Sequence, residues 1–215
     1  MAADAYYESR YTPNSDRGVV WPEIVRFLKP WLTGATTVLD LGAGYCDFVN
    51  NISAPVRIAV DYSAASAACA APGVRHIVSP ADDLSAVTTS TVDVVFSSNL
   101  LEHLTDTQLE KAMSEVHRIL RPGGLFITMQ PNYRLAYKTY FDDPTHRKVF
   151  SDAALKNFLL SNRFRIIRSW PKFLPFSLES RPRLLPLSPL MVRAYLNSPF
   201  KPLAGQMLFV AAAVQ

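Results

Sequence analysis

The chain has 215 residues and a mass of 23.9 kDa, room for one domain with a full core but not for two. With 49% hydrophobic and 19% charged residues, its composition excludes a disordered polyelectrolyte. Its longest uninterrupted apolar run, Met207 to Val214, is eight residues, too short to span a bilayer, and its polar start is no signal peptide. Two cysteines, Cys46 and Cys69, make neither a disulfide framework nor a four-thiolate zinc site, so the cytoplasm is the expected compartment. The net charge of +4 hides a division: residues 1–132 carry a balance of −5, and residues 133–215 one of +9. The basic part suits an anionic partner or a solvated basic face. No dense Lys/Arg run interleaved with aromatics accompanies it, so nucleic acid is not indicated.

In chain order, residues 1–15 read as an arm with three tyrosines among charges. A helix follows, with Val20, Ile24, Phe27, Leu28 and Trp31 on one stripe, Pro22 near its start and Pro30 closing it. The period then changes. Residues 36–41, 56–60, 74–78, 92–96 and 125–129 are short, β-branched runs separated by helix-sized gaps. The clearest helix lies before the fifth of them, opened by a Thr105/Gln108 capping box and stopped by Arg121-Pro-Gly-Gly124. Ser151 caps another helix, which ends before Asn162, and residues 165–170 and 206–210 complete seven strands. Between the last two strands, residues 171–205 hold seven of the sixteen prolines, five Lys/Arg and one acid. This stretch is expected to be an irregular insertion or a short-helix lid, serving the substrate or a homodimer contact. The alternation predicts an α/β fold: a Rossmann-like, doubly wound, mostly parallel sheet with helices on both faces. One domain, 1–215, would comprise an N-terminal arm and helix (1–35), a donor-binding core (36–130) and an acceptor side (131–215).

The run Val38-Leu-Asp-Leu-Gly-Ala-Gly44 places Asp40 at the end of the first strand and two glycines in the turn beyond it. Glycine lets backbone approach a ligand, and the next helix can offer N–H groups to a carboxylate, while Asp40 can meet an ammonium. A dinucleotide fold wants a third glycine where Asp47 stands, and an acid there repels a pyrophosphate, so NAD and FAD are disfavoured. Asp61, 21 residues after Asp40, can accept two ribose hydroxyls. Asp82 and Asp83, after the third strand, are placed for an adenine amino group.

These runs, with Asp93-Val-Val-Phe-Ser-Ser-Asn99 and Leu120-Arg-Pro-Gly-Gly-Leu125, resemble the ordered motifs of class I S-adenosylmethionine-dependent methyltransferases over roughly residues 36–130. The resemblance implies seven strands with the last antiparallel. It also implies that Asp40, Gly42 and Gly44 hold the methionine part of the donor, Asp61 the ribose, Asp82 the adenine, and Ser98 or Asn99 the methyl end. The family often has a further glycine where this chain has Cys46, which predicts looser helix packing there.

An alcohol acceptor needs a base or a metal. Glu102 and His103, just after the fourth strand, and His146, in the loop Phe141-Asp-Asp-Pro-Thr-His146, are the candidates; His76 and His117 read as packing or surface residues. Two roles compete for the trio. Either His103 is the general base, with Glu102 orienting it and His146 holding the acceptor, or Glu102, His103 and His146 ligate a divalent metal, with Asp142 or Asp143 assisting. In a third reading His146 only pins its loop. Asn99-Leu-Leu-Glu-His103 with a later His146 resembles magnesium-dependent small-RNA 2'-O-methyltransferases, in which a metal-binding glutamate stands at the place of Asn99. Magnesium prefers oxygen over imidazole, so manganese would suit this set better.

Residues 131–215 resemble, more loosely, bacterial methyltransferases of glycan and polysaccharide pathways. That resemblance implies a saccharide substrate. Tyr133, Tyr137, Tyr140, Phe141, Trp170 and Phe173 could stack on sugar rings, and Arg134, Lys138, Arg181 and Arg183 could hold hydroxyls or phosphates. The expected function is O-methylation of a saccharide; RNA ribose methylation and a non-catalytic donor-binding subunit are the alternatives.

Overall fold

A computed structural model describes residues 15–175 and 187–214. Helix α1 (Ser15–Leu32) leads into β1 (Thr37–Leu41), the short α2 (Asp47–Asn51), β2 (Val56–Asp61), β3 (Val74–Val78) and β4 (Val92–Ser98). Next come α3 (Asp106–Ile119), β5 (Leu120–Pro131), α4 (Tyr133–Ala136), α5 (Asp152–Ser161), β6 (Phe164–Trp170), α6 (Pro189–Asn197) and β7 (Gln206–Ala213). Single 3-10 turns at Ala64–Cys69, Leu101–His103 and Tyr140–Asp142 join them.

The seven strands form one sheet in the order β3-β2-β1-β4-β5-β7-β6. Neighbours from β3 to β5 run parallel, and β7 lies antiparallel to both β5 and β6. The fold is thus the expected seven-stranded α/β sheet, mostly parallel with the last strand reversed. Chain order reverses between β1 and β4, which opens a crevice at their carboxyl ends, where open α/β sheets bind ligands.

The central strands are continuous apolar runs because both faces are covered. On one face Leu39, Val95 and Phe126 meet Leu109, Met113, Leu155 and Leu159 from α3 and α5. On the other, Val38, Phe96 and Ile127 meet Ile24, Leu28, Phe48 and Val192 from α1, α2 and α6. At the opposite edge from the crevice, buried Asp93 accepts N–H bonds from Thr36 and Thr37, each 2.8 Å, tying β4 to the start of β1.

Two expectations need correction. The first helix begins at Ser15 and ends at Leu32, so Pro22 sits in its interior and Pro30 lies inside its last turn instead of closing it. A proline cannot bond back to the carbonyl four residues earlier; for Pro22 that residue is the exposed Gly18, whose carbonyl water can reach, while buried Val20, Ile24 and Leu28 hold both sides of Pro22 against the sheet. The run Arg121–Gly124 ends α3 but belongs to β5: Leu120 pairs with Val92 and Leu125 with Val94, so the strand bulges through a glycine at φ 74°. Of the two forms expected for the insertion, its described part takes the short-helix one: α6 buries Val192 and Leu196. Residues 1–14 of the expected arm, and residues 176–186 of the insertion with Arg181 and Arg183, lie outside the described residues. No helix of the described residues is long and apolar enough to cross a membrane.

Candidate active site

The glycine turn after β1 has three left-handed residues, Gly42 (φ 73°), Gly44 (φ 50°) and Cys46 (φ 58°). A Cβ on Gly42 would come within 3.0 Å of the Leu100 side chain, so both conformation and space require glycine there. The expected loosening at Cys46 does not occur. Its side chain is fully buried, with Sγ 3.6 Å from the Ser66 carbonyl, and this packing offsets the roughly 1–2 kcal/mol cost of a left-handed non-glycine residue.

Asp40 is buried and accepts the Val49 N–H at 3.3 Å. Burial, with Asp61 and Asp47 nearby, pushes its carboxyl up to about 8. Asp61 closes β2 and holds the loop with both oxygens: Oδ2 accepts the Gly44 N–H at 2.8 Å and Oδ1 the Ser63 N–H at 2.9 Å. Each carboxylate oxygen can accept more than one hydrogen bond, so clamping the turn is compatible with receiving a hydroxyl. Asp47 is gripped by Arg17 of α1, with Nε 2.7 Å from Oδ2. Asp82 is half-buried, whereas Asp83 is exposed and accepts the Ser85 N–H at 3.0 Å, which lowers its carboxyl pKa. Ser98 buries an unpartnered hydroxyl. Asn99, at φ 50°, turns its Oδ1 to the Gln206 amide at 3.2 Å, away from the role of a metal ligand.

Beyond Asn99 the 3-10 turn carries Glu102 and His103, and the loop to His146 folds back onto it. The Glu102 carbonyl accepts the N–H groups of Arg147 (2.8 Å) and Lys148 (3.0 Å). This brings together all three expected residues: ligand atoms of Glu102, His103 and His146 lie within 4.8 Å of one another, and the imidazole centroids are 4.8 Å apart. Glu102 is completely buried and neither carboxyl oxygen has a hydrogen-bond partner. Desolvation above all raises it to about 8, opposed by its own backbone N–H and aided by the Asp143 charge.

The tautomers follow from the partners. His146 Nδ1 faces the Tyr140 carbonyl at 2.5 Å; a carbonyl only accepts, so Nδ1 carries the hydrogen and Nε2 the lone pair. His103 Nδ1 lies 2.9 Å from the Thr145 hydroxyl, which lies 2.6 Å from Asp143 Oδ1. With the hydroxyl donating to that carboxylate, His103 Nδ1 must donate too, leaving the Nε2 lone pair for a proton or a cation. Asp143 is buried, with Oδ2 3.7 Å from His146 Nε2, while Asp142 is exposed and outside the cluster. Thr145→Ala is therefore expected to shift His103 toward the Nε2–H tautomer and Thr145→Ser to restore it. Side-chain ¹⁵N NMR measures this, and unchanged His103 nitrogen shifts in both variants would remove the relay.

Sequence reasoning missed Thr145, whose signal is its place between Asp143 and His146. It also missed a layer of buried polar groups: Ser97 and Thr128, paired across β4 and β5, and Gln130 are nearly inaccessible, with side-chain atoms lacking partners. Nothing in the periodicity marks these positions as polar. Of the aromatics expected to meet sugar, Tyr140 and Phe173 are core residues, and Tyr140 donates to the Lys148 carbonyl at 2.6 Å; Tyr137 and Phe141 are exposed. Arg134 lies 3.4 Å from Asp152. His76 and His117 stay outside the cluster, as expected: Nε2 of the first contacts Ser66 Oγ at 3.1 Å and that of the second the Val214 carbonyl at 2.8 Å.

Residues 39–128 match the family model described as a methyltransferase domain. No curated protein matches the sequence. Among solved structures, a SAM-dependent methyltransferase of Archaeoglobus fulgidus is similar at 20% identity and TM-score 0.68, covering 91% of this chain and 94% of that one. A complex of the Trm112 methyltransferase activator of Haloferax volcanii with a methyltransferase is similar at 17% identity and TM-score 0.71 (99% and 96% covered). Geranyl diphosphate C-methyltransferase of Streptomyces coelicolor, solved with Mg²⁺, geranyl diphosphate and S-adenosyl-L-homocysteine, is similar at 18% identity and TM-score 0.65 (89% and 78% covered). The chain therefore has the fold of the S-adenosylmethionine-dependent methyltransferases, with a methyltransferase-domain match over residues 39–128.

Proposed function

We propose that this chain is an S-adenosylmethionine-dependent O-methyltransferase whose acceptor is a saccharide hydroxyl. The observation that carries the reading is the Glu102/His103/His146 cluster just beyond β4 at the carboxyl edge of the sheet, with Glu102 buried and His103 partly accessible. A sulfonium donor arrives activated, so the protein has to align it and remove the acceptor proton. The Asp61 carboxylate, joined by Asp40 once an ammonium beside it draws out its proton, suits a ligand bearing a sulfonium and an ammonium and disfavours a pyrophosphate, while the Asp47 charge is matched by Arg17. In the proposal Asp40, Gly42 and Gly44 hold the methionine end, Asp61 the ribose, Asp82 and Asp83 the adenine, and Ser98 and Asn99 border the methyl group. As the acceptor oxygen bonds to the methyl carbon, the carbon–sulfur bond breaks with its electron pair going to sulfur, S-adenosylhomocysteine leaves, and the acceptor proton passes to His103 Nε2, the atom that the Thr145 relay leaves as acceptor.

The same residues fit a divalent cation. An acid buried without partners, next to two imidazoles whose Nδ1 hydrogens are tied down, is the ligand chemistry of a borderline ion such as manganese more than of magnesium. When bound, the ion would lower the acceptor pKa and draw Glu102 into its ionised form. The looser resemblance to glycan methyltransferases, including those of methylmannose polysaccharide synthesis, and the exposed Tyr137 and Phe141 support a sugar acceptor.

His103→Ala and His146→Ala are each expected to lower methyl transfer at least 100-fold while S-adenosylhomocysteine affinity changes less than threefold. Labelled-methyl assays on glycans and RNA, with and without Mn²⁺ after chelation, test both points. Transfer to RNA in place of glycans would reject the acceptor, and wild-type turnover in both variants would reject the site.

A further inference from the structure

On the α1/α6 face of the sheet, a cleft of about 1150 Å³ lies between α1, the end of β6 and the end of α6. Its floor is aromatic. Phe27 and Trp31 of α1 meet Trp170 of β6 edge to face, at centroid distances of 5.2 and 5.4 Å and interplanar angles of 70° and 82°. Its rim is cationic. Arg168 sits 5.7 Å over the Trp170 ring and Lys172 is exposed beside it, while exposed Arg26 lies 3.4 Å from Glu23. The one acid among the described lining residues, Glu23, is buried and accepts two hydrogen bonds from Arg193, at 2.9 and 2.8 Å, so it offers no charge to a ligand. The cleft is joined to the acceptor side, because Asn132, directly after β5, donates to the Pro171 carbonyl on its rim at 3.0 Å.

We infer that this cleft binds an anionic saccharide chain, as a subsite for the part of an acceptor remote from the methylated hydroxyl; the inference rests on the saccharide reading above. Sugars lay their C–H faces on indole, and the outward guanidinium and ammonium groups take the negative charges. The volume exceeds that of a usual single-ligand pocket, which fits several linked rings. Edge-to-face packing of the rings leaves no row of parallel platforms, which single-stranded nucleic acid uses to stack successive bases.

The test is tryptophan fluorescence titration of the full chain with short sulfated dextran, neutral dextran of equal length and single-stranded DNA of equal charge. Sulfated dextran should bind tightest. The double variant Arg168→Ala/Lys172→Ala should weaken it at least tenfold. Lys111→Ala/Lys156→Ala, which removes the same charge from the α3/α5 face, should change it less than twofold. Equal losses in the two double variants, or neutral dextran or DNA binding as tightly as the sulfated chain, would overturn the proposal. S-adenosylhomocysteine affinity should be unchanged in both variants, so failure of the cleft is separable from failure of the donor site.

Discussion

Replacing Glu102 by Gln is expected to abolish methyl transfer and, in the same molecule, to raise the melting temperature at pH 8. The side chain is isosteric, so packing is kept while the buried charge is lost. Glu102 is fully buried with no partner for either oxygen, and its carboxyl is raised to about 8. Between the ordinary carboxyl range and pH 8 the folded state holds a proton that the unfolded chain has released. The stabilising contribution is therefore complete below about pH 4.5 and is lost as pH rises toward 8, at up to about 1.4 kcal/mol per pH unit. Asp40, raised to about 8 by the same burial, adds a parallel loss. Wild-type protein should thus melt progressively lower from pH 5 to pH 8, and Glu102→Gln should show roughly half that slope. At pH 8 the gain, on the order of 2 kcal/mol after solvent relaxation, corresponds to about 5 °C. Calorimetric melts of both proteins across this range, with a methyl-transfer assay at pH 8, measure the effect. A variant that melts lower than wild type at pH 8, or that retains transfer, would show that Glu102 is an ordinary structural carboxyl.

Asp61→Asn is expected to weaken S-adenosylhomocysteine binding about 100-fold or more. The carboxylate accepts backbone hydrogen bonds at both oxygens, from Gly44 and from Ser63. An amide retains one acceptor and sets an NH₂ against one of these N–H groups, at a cost of roughly 2 kcal/mol in turn geometry. In the proposed complex it also loses a ribose hydroxyl, for about another 1 kcal/mol. Together these reach two orders of magnitude in affinity. Isothermal titration with S-adenosylhomocysteine decides it, and a Kd within threefold of wild type would separate Asp61 from the donor.

Much of the fold is legible because its signals are local. The Thr105/Gln108 capping box closes both hydrogen bonds that its spacing predicts, and Ser151 caps α5 through the Ala154 N–H. The β-branched runs fall on strands because continuous apolar residues must be covered on both faces. Boundaries failed where tertiary packing outweighed local preference, at Pro22 and in the bulge after Leu120. The aromatics of the acceptor side were divided only by burial: Tyr140 and Phe173 share a composition with Tyr137 and Phe141 but not a place in the molecule.

By itself, the order of residues determined that strands and helices alternate, that acids follow successive strands, and that Glu102 and His103 sit beyond the fourth. Those features depend on neighbours a few positions apart. Only the tertiary structure decided that His146 reaches Glu102 and His103, that Thr145 sets the His103 tautomer, that the Glu102 carboxyl is buried without a side-chain partner, and that Trp31 and Trp170 floor one cleft. Each of these joins segments far apart in the chain, and a side chain's desolvation and hydrogen-bond partners exist only after those segments have packed together.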